Sequence, residues 1–229
     1  MQLHIIGTSH IAKQSIDEIE SAFKSFAPDI IAIELDIKRA HALLNPKQDK
    51  TTLSPKAIFE LGLTGYLFAL LGQSAQQKLG KAVGVNAGDD MKAGLDLAAK
   101  NKKEIALIDQ PIEITLKNIS RGFGWKEKGR FASDIIKGLV RPKKQAELMG
   151  IDFDLKKVPE DELIEKMMTY MEKRYPSLHK AIIEDRNKYM VKKLIQIMRK
   201  NPEKKIMVIV GAGHLKGMKE LLLKVEVVI

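Results

Sequence analysis

The 229 residues contain no cysteine. That absence removes disulfide frameworks, thiolate metal centres and cysteine nucleophiles together. A metal ion in this chain must be held by imidazole and carboxylate, the donor set of catalytic rather than structural zinc sites. Aromatic residues make up only 5% of the chain, and none interleaves with lysine as a base-stacking platform requires. The net charge of +10 is thinly spread, its densest run being Arg141-Pro142-Lys143-Lys144. A solvated basic surface is therefore expected, and nucleic acid is not the expected partner. Long apolar runs are also missing. The nearest to one is 57–72 (AIFELGLTGYLFALLG), with Glu60 as its single charge. It falls short of the ~20 residues that span a bilayer, and its glycines at 62, 65 and 72 weaken a free helix. It reads as a buried helix or a homodimer contact, with peripheral membrane contact as the rival. No basic leader precedes the first apolar segment, so a cytoplasmic location is expected, with membrane association through 57–72 as the variant.

What is present is the pattern of a folded chain, 45% hydrophobic and 30% charged. Leu3 to Ile6 reads as a strand, Ala12 to Phe26 as an amphipathic helix, and Ile30 to Leu35 as a second strand. A strand that is apolar on both faces belongs in a parallel sheet covered by helices. The fold class is α/β, a mainly parallel sheet flanked by helices, forming one domain over 1–229 with a helical insertion at roughly 54–102. Further helices are expected at 38–44, 89–99 and 177–200, and a third strand at 104–108. A basic, turn-rich stretch covers 121–130, and a polar region 143–161. Ile206 to Val210 is the clearest buried strand, and the apolar 221–229 suits an edge strand.

Open α/β sheets bind ligands beyond the carboxyl ends of their strands. At those ends lie Gly7-Thr8-Ser9-His10, Glu34, Asp36, Asp109 and Gly211-Ala212-Gly213-His214. The two Gly-x-x-His loops use two of only five histidines, and their glycines are expected to turn the backbone and aim the imidazoles across the sheet. Taken singly, each histidine also fits a satisfied loop residue. A carboxylate ending an apolar strand needs a cation or donors, so Glu34 is read as a site residue. Asp36 is either a helix N-cap or a catalytic group, and Asp109 either a site residue or the cap of the helix after Pro111. Arg186 is a partner for Glu34, a structural ion pair or an oxyanion donor. His10, Glu34 and His214 form a plausible open site for a divalent metal that activates water; without a metal they suit acid–base work.

GTSHIAKQSIDEI with PDIIAIELDIKRAHALL resembles the opening of the TraB/PrgY/GumN family. NAGDDMKAGLDLA, IDQPIEITLKN, EDRNKYM and VIVGAGHLKG extend the resemblance over essentially the whole chain. The family is similar to the Tiki proteases, ChaN-like proteins and erythromycin esterases, which share paired Gly-x-x-His motifs and an α/β fold. The resemblance implies a metal-dependent peptidase or hydrolase with His10, Glu34 and His214 at the core, Arg186 in support, and zinc, manganese or cobalt as the metal. The substrate would be a peptide or small molecule, and the alternative is a non-catalytic peptide or ligand binder of the same fold. Two departures stand out: Gln110 replaces the arginine common in Asp-Arg-Pro, and the C-terminal membrane helices of many members do not follow Val228-Ile229.

Overall fold

The apolar runs become four parallel strands, β1 (Gln2–Thr8), β2 (Ile30–Ile33), β3 (Glu104–Leu107) and β4 (Lys205–Gly211), in the spatial order β1-β4-β2-β3. The computed structural model describes residues 2–8, 12–45, 58–62, 64–70, 88–140 and 160–226. β2 is buried throughout and β4 from Ile206 onward, as central strands covered on both faces should be, while β1 and β3 keep exposed positions at the edges. The first strand–helix–strand unit does not join neighbours. β4, last in the sequence, lies between β1 and β2 and pairs with both.

Alternation along the strands then sorts the core into two layers. Ile30, Ala32, Ile206, Val208 and Val210 point to one face, where they meet α8 (Asp185–Lys200) and α9 (Ala212–Glu226). Ile31, Ile33, Met207 and Ile209 point to the other, against α1 (Ala12–Phe26), α2 (Ile37–Leu44) and α3 (Asp89–Lys100). Each of these buried isoleucines, valines and Met207 contributes roughly 1.5–3 kcal/mol by leaving water. Gly94 lets α3 come close, since a Cβ there would stand 2.7 Å from Ile209 Cδ1.

A second core lies apart from the sheet. It joins the helical residues 58–62 and 64–70 to α4 (Ile112–Gly122), α5 (Trp125–Val140), α6 (Glu160–Arg174) and α7 (Pro176–His179). Much of the chain's small aromatic complement gathers here: Phe123 meets Phe68 edge-on at 5.1 Å and Phe131 at 5.9 Å. Gly65 is needed for close approach, because a Cβ would lie 2.6 Å from the Leu116 carbonyl oxygen. Leu61 and Phe68 thus show the inner side of the apolar segment buried, while Phe59, Leu67 and Leu70 stay exposed. Among the described residues, no helix is long and apolar enough to cross a membrane.

Two expected elements differ. The piece expected as an edge strand at 221–229 continues α9 as far as Glu226, because Met218 and Leu222 repeat at helical spacing and pack into the sheet-facing core; 227–229 lie outside the described residues. The turn-rich stretch at 121–130 narrows to Phe123-Gly124, after which α5 begins at Trp125. The polar region at 143–161 lies almost wholly outside the described residues.

Asp134 clamps the second core. Arg174 donates to it from Nε at 2.5 Å and from Nη2 at 2.6 Å, and the Tyr175 hydroxyl donates at 2.5 Å. The Arg174 bonds outweigh burial and, with Tyr175, hold the carboxyl at about 2 instead of 3.8. A folded-state value below the unfolded one stabilises above the unfolded value and is lost as pH falls through the folded value. We therefore expect the gap in melting temperature between the wild type and Asp134→Asn to shrink as pH drops from 3.8 towards about 2. A gap that stays constant over that window would contradict this role.

Candidate functional site

The carboxyl ends of β1, β4 and β2 lie side by side, and the register sets Thr8 opposite Gly211 and Ile33 opposite Ile209. Both Gly-x-x-His motifs therefore leave adjacent strands at the same level. The helices that follow these two strands go to opposite faces, α1 to one and α9 to the other. A crevice between strands whose connections diverge in this way is where open α/β sheets bind ligands.

The second motif is not a loop. β4 runs to Gly211 and α9 starts at Ala212, so His214 sits in the first helical turn. Gly7 also serves another purpose than turning the chain: it lies within β1, and a Cβ there would approach Leu215 Cδ2 to 2.9 Å. Its bareness lets α9 close over the strand end. His10 lies outside the described residues.

Glu34 follows β2 and is buried. Its Oε2 accepts the Gly211 N–H at 2.7 Å, and its Oε1 accepts Arg186 Nη2. Arg186 also bonds Asp109 twice, from Nε at 3.0 Å and from Nη2 at 2.7 Å, and donates from Nη1 to the Ile182 carbonyl at 3.3 Å. Among the described residues, one of the five guanidinium N–H groups has no partner. Arg39 adds a second cation to Asp109 at 3.0 Å. Asp109 is thus an acceptor for two arginines and not the cap of α4, whose N-cap is Pro111 with no side-chain bond. Asp36 does cap α2, its Oδ1 accepting Lys38 N at 2.8 Å and Arg39 N at 3.0 Å. Its buried Oδ2 has no hydrogen-bond partner among the described residues.

His214 faces Glu34 with Nε2, 3.3 Å from Oε1, and faces Asn187 with Nδ1, 2.7 Å from Oδ1. An amide oxygen only accepts, so Nδ1 carries the proton and Nε2 turns a lone pair toward the carboxylate. Burial is the main force on the imidazole, pushing it below its ordinary value and keeping it neutral. Burial opposes the Glu34 carboxylate too, but the positive charges around it, Arg186 and Arg39 among them, and the Gly211 N–H outweigh burial and hold Glu34 below its ordinary value. Burial also opposes the Arg186 charge, yet Glu34 and Asp109 raise its affinity for the proton.

Three contributors escaped sequence reading. Asn187 orients His214, and its only sequence signal was its place beside Arg186. A π-helical turn, Lys180–Glu184, precedes both residues; such turns concentrate at functional sites. Arg39 was hidden in a helical pattern. Asp90, buried at the start of α3, accepts the Thr8 hydroxyl at 2.5 Å and so braces the end of β1 two residues before His10. His4, His41 and His179 lie outside the cluster; His4 rests against Phe26.

Among the described residues, no three histidine, aspartate or glutamate groups stand together as a metal centre; the expected ligand set relies on His10. Of that expected set, Glu34 and His214 are the members the structure brings together. A neutral imidazole oriented through Nδ1, with Nε2 beside a carboxylate, is how protein metal sites present histidine.

A parallel sheet flanked by helices, with ionisable side chains gathered beyond its strand ends, defines an α/β protein with a candidate site at those ends. The chain belongs to the TraB/PrgY/gumN family, matching it over residues 1–226. It is 28% identical over 227 residues to an uncharacterized protein of Methanocaldococcus jannaschii, covering 98% of this chain and 54% of that protein. It is 23% identical over 244 residues to a TraB domain-containing protein of Homo sapiens, covering 96% of this chain and 62% of that one. The chain thus spans between half and two thirds of the length of these relatives.

Gly217 tests the Asn187–His214 contact. A Cβ at this position would meet Asn187 Nδ2 at 2.4 Å, so Gly217→Ala should push the amide off the imidazole. The expected outcome is a loss of about 1–3 kcal/mol in stability and a mixture of His214 tautomers in imidazole ¹⁵N spectra. A single Nδ1–H tautomer in the variant would overturn the assignment.

Proposed function

We propose that this chain is a metal-dependent hydrolase of the peptidase type, with His10, Glu34 and His214 as ligands to a zinc, manganese or cobalt ion. The observation that carries this reading is the 3.3 Å approach of His214 Nε2 to Glu34 Oε1. Two acceptors facing each other call for a positive centre, and burial works against supplying it as a proton on the imidazole. A divalent ion bound there would lower the pKa of its water and polarise a carbonyl. Asn187 keeps Nε2 pointed at the site, and the Gly211 N–H holds Glu34 in place. Arg186 fixes Glu34 and Asp109 together, and its remaining N–H is the one it has to offer a developing oxyanion. The family's similarity to the Tiki proteases supports the same chemistry.

A second reading is a binder of peptides or small molecules without turnover. It is favoured by the fact that both Glu34 oxygens already have protein donors. Metal analysis of the purified chain, with peptide cleavage measured with and without chelator, separates the two. Stoichiometric metal that is lost in His10→Ala and His214→Ala, with chelator-sensitive cleavage, supports the hydrolase. Metal without cleavage favours the binder, and neither metal nor cleavage sinks the hydrolase.

We also propose that the exposed strip of Phe59, Leu67 and Leu70 is buried in a homodimer, with contact to a membrane surface as the rival use. Phe59, at 93% exposure, is the residue to change. Phe59→Asp should shift the mass in light scattering from dimer to monomer. A wild-type monomer that co-sediments with anionic vesicles would favour the rival and place the protein at a membrane face of the cytoplasm.

A further inference from the structure

α8 and α9 run side by side on one face of the sheet, and on their outer side they leave a trough of about 420 Å³ that is open along its length. Its apolar lining is Val191 and Ile195 from α8 and Leu221 and Val225 from α9. Above this lining stand Lys188, Lys192 and Arg199, and among the described residues no carboxylate lines the trough. Some lysines elsewhere on the surface have acidic partners, as Lys92 lies 2.8 Å from Asp96, Lys180 2.5 Å from Asp185, and Lys216 3.2 Å from Glu165. Lys192 and Arg199 have none among the described residues, and Lys188 has only Glu184 at 3.9 Å. Uncompensated cations over apolar surface mark a face that awaits an anionic, partly apolar partner.

We infer that this trough docks an acidic amphipathic helix of a partner protein. The cations at 188, 192 and 199 lie along about 16 Å of α8 at ~1.5 Å per residue. A docked helix places apolar anchors at i, i+3, i+4 and i+7 over about 10 Å, so the cations flank the whole of that span. A second copy of this chain in the trough would, in an isologous pairing, set these cations against themselves. Nucleic acid would leave the apolar lining unused, and no aromatic ring stands there for a base to stack on. A bilayer is inserted into by protruding apolar groups, whereas Val191 is recessed, at 4% exposure, beneath the lysines. An open trough also cannot enclose a small ligand as a cleft does. The docking face includes neither Glu34 nor His214, so the inference stands or falls independently of the proposed hydrolysis.

The test is a fluorescence-anisotropy titration of the full chain with a labelled acidic helical peptide of about 14 residues, carrying leucines at that spacing and glutamates alongside. We expect saturable binding that weakens with added salt, and weakens by about tenfold or more in the Lys192→Glu/Arg199→Glu double variant and in Ile195→Asp. The same peptide with its glutamates replaced by lysine should not bind. The double variant changes only exposed side chains, so it keeps the test decisive where Ile195→Asp fails to fold. Equal binding by the wild type and the double variant, or by a peptide with leucines changed to serine, would overturn the inference. So would anionic vesicles or duplex RNA that bind the chain tightly and lose that binding in the same variants while the peptide does not bind.

Discussion

Arg186 reaches from the first turn of α8 across the ends of β2 and β3 to two carboxylates that water scarcely touches. Glu34 and Asp109 follow different strands, and two buried carboxylates brought together need a cation between them. The arginine therefore ties α8 to the sheet at the point where the sheet's chemistry is displayed. Its neighbour Asn187 inherits that placement and passes it to His214. The π-helical turn before the two residues belongs to the same constraint, since it sets the phase with which α8 enters the site.

Around this cluster the molecule divides its labour. The sheet and its two helical layers form a dry aliphatic core that fixes where the strands end. The second core, with its aromatic rings and the Asp134–Arg174 clamp, sits to one side and holds the π-turn and α7 through Leu178 and Ala181. Residues from both bodies meet at Arg186. Its Nη1 bond to the Ile182 carbonyl, in the π-turn, is the direct link between the second core and the strand-end carboxylates.

Much of this was legible in the sequence, for physical reasons that can be named. Continuous apolar runs announce strands covered on both faces, and Ile30–Ile33 and the body of β4 are such strands. A carboxylate at the end of such a run advertises an unmet charge, which is why Glu34 could be singled out and Arg186 offered as its partner. For Asp36 the sequence left a cap and a catalytic group both open, and the structure shows the cap. Alternation does not say which strand lies beside which, so the insertion of β4 between β1 and β2 was not readable. Nor was the α9 continuation, because leucines and valines in a short terminal piece satisfy both periods. Asn187 and Asp90 show the other limit. Each is an ordinary polar residue on a helix until the fold brings it to Nδ1 of a histidine or to the hydroxyl that ends β1. The close approaches at Gly7 and Gly217 are equally invisible, since a missing Cβ gives no hint of what stands opposite.

The late arrival of β4 has a consequence for the life of the chain before it is complete. During synthesis, everything from β1 to α8 emerges while the slot between the first two strands is still empty. Until residues 205–211 leave the ribosome, β1 has no strand beside it and β2 presents one bare edge, the state in which unpaired backbone recruits foreign strands. The closure is among the longest in sequence that the fold makes, joining Gln2 to Lys205, and pairings of such separation form slowly. A nascent or C-terminally shortened chain would therefore expose unpaired strand edges and carry half a site.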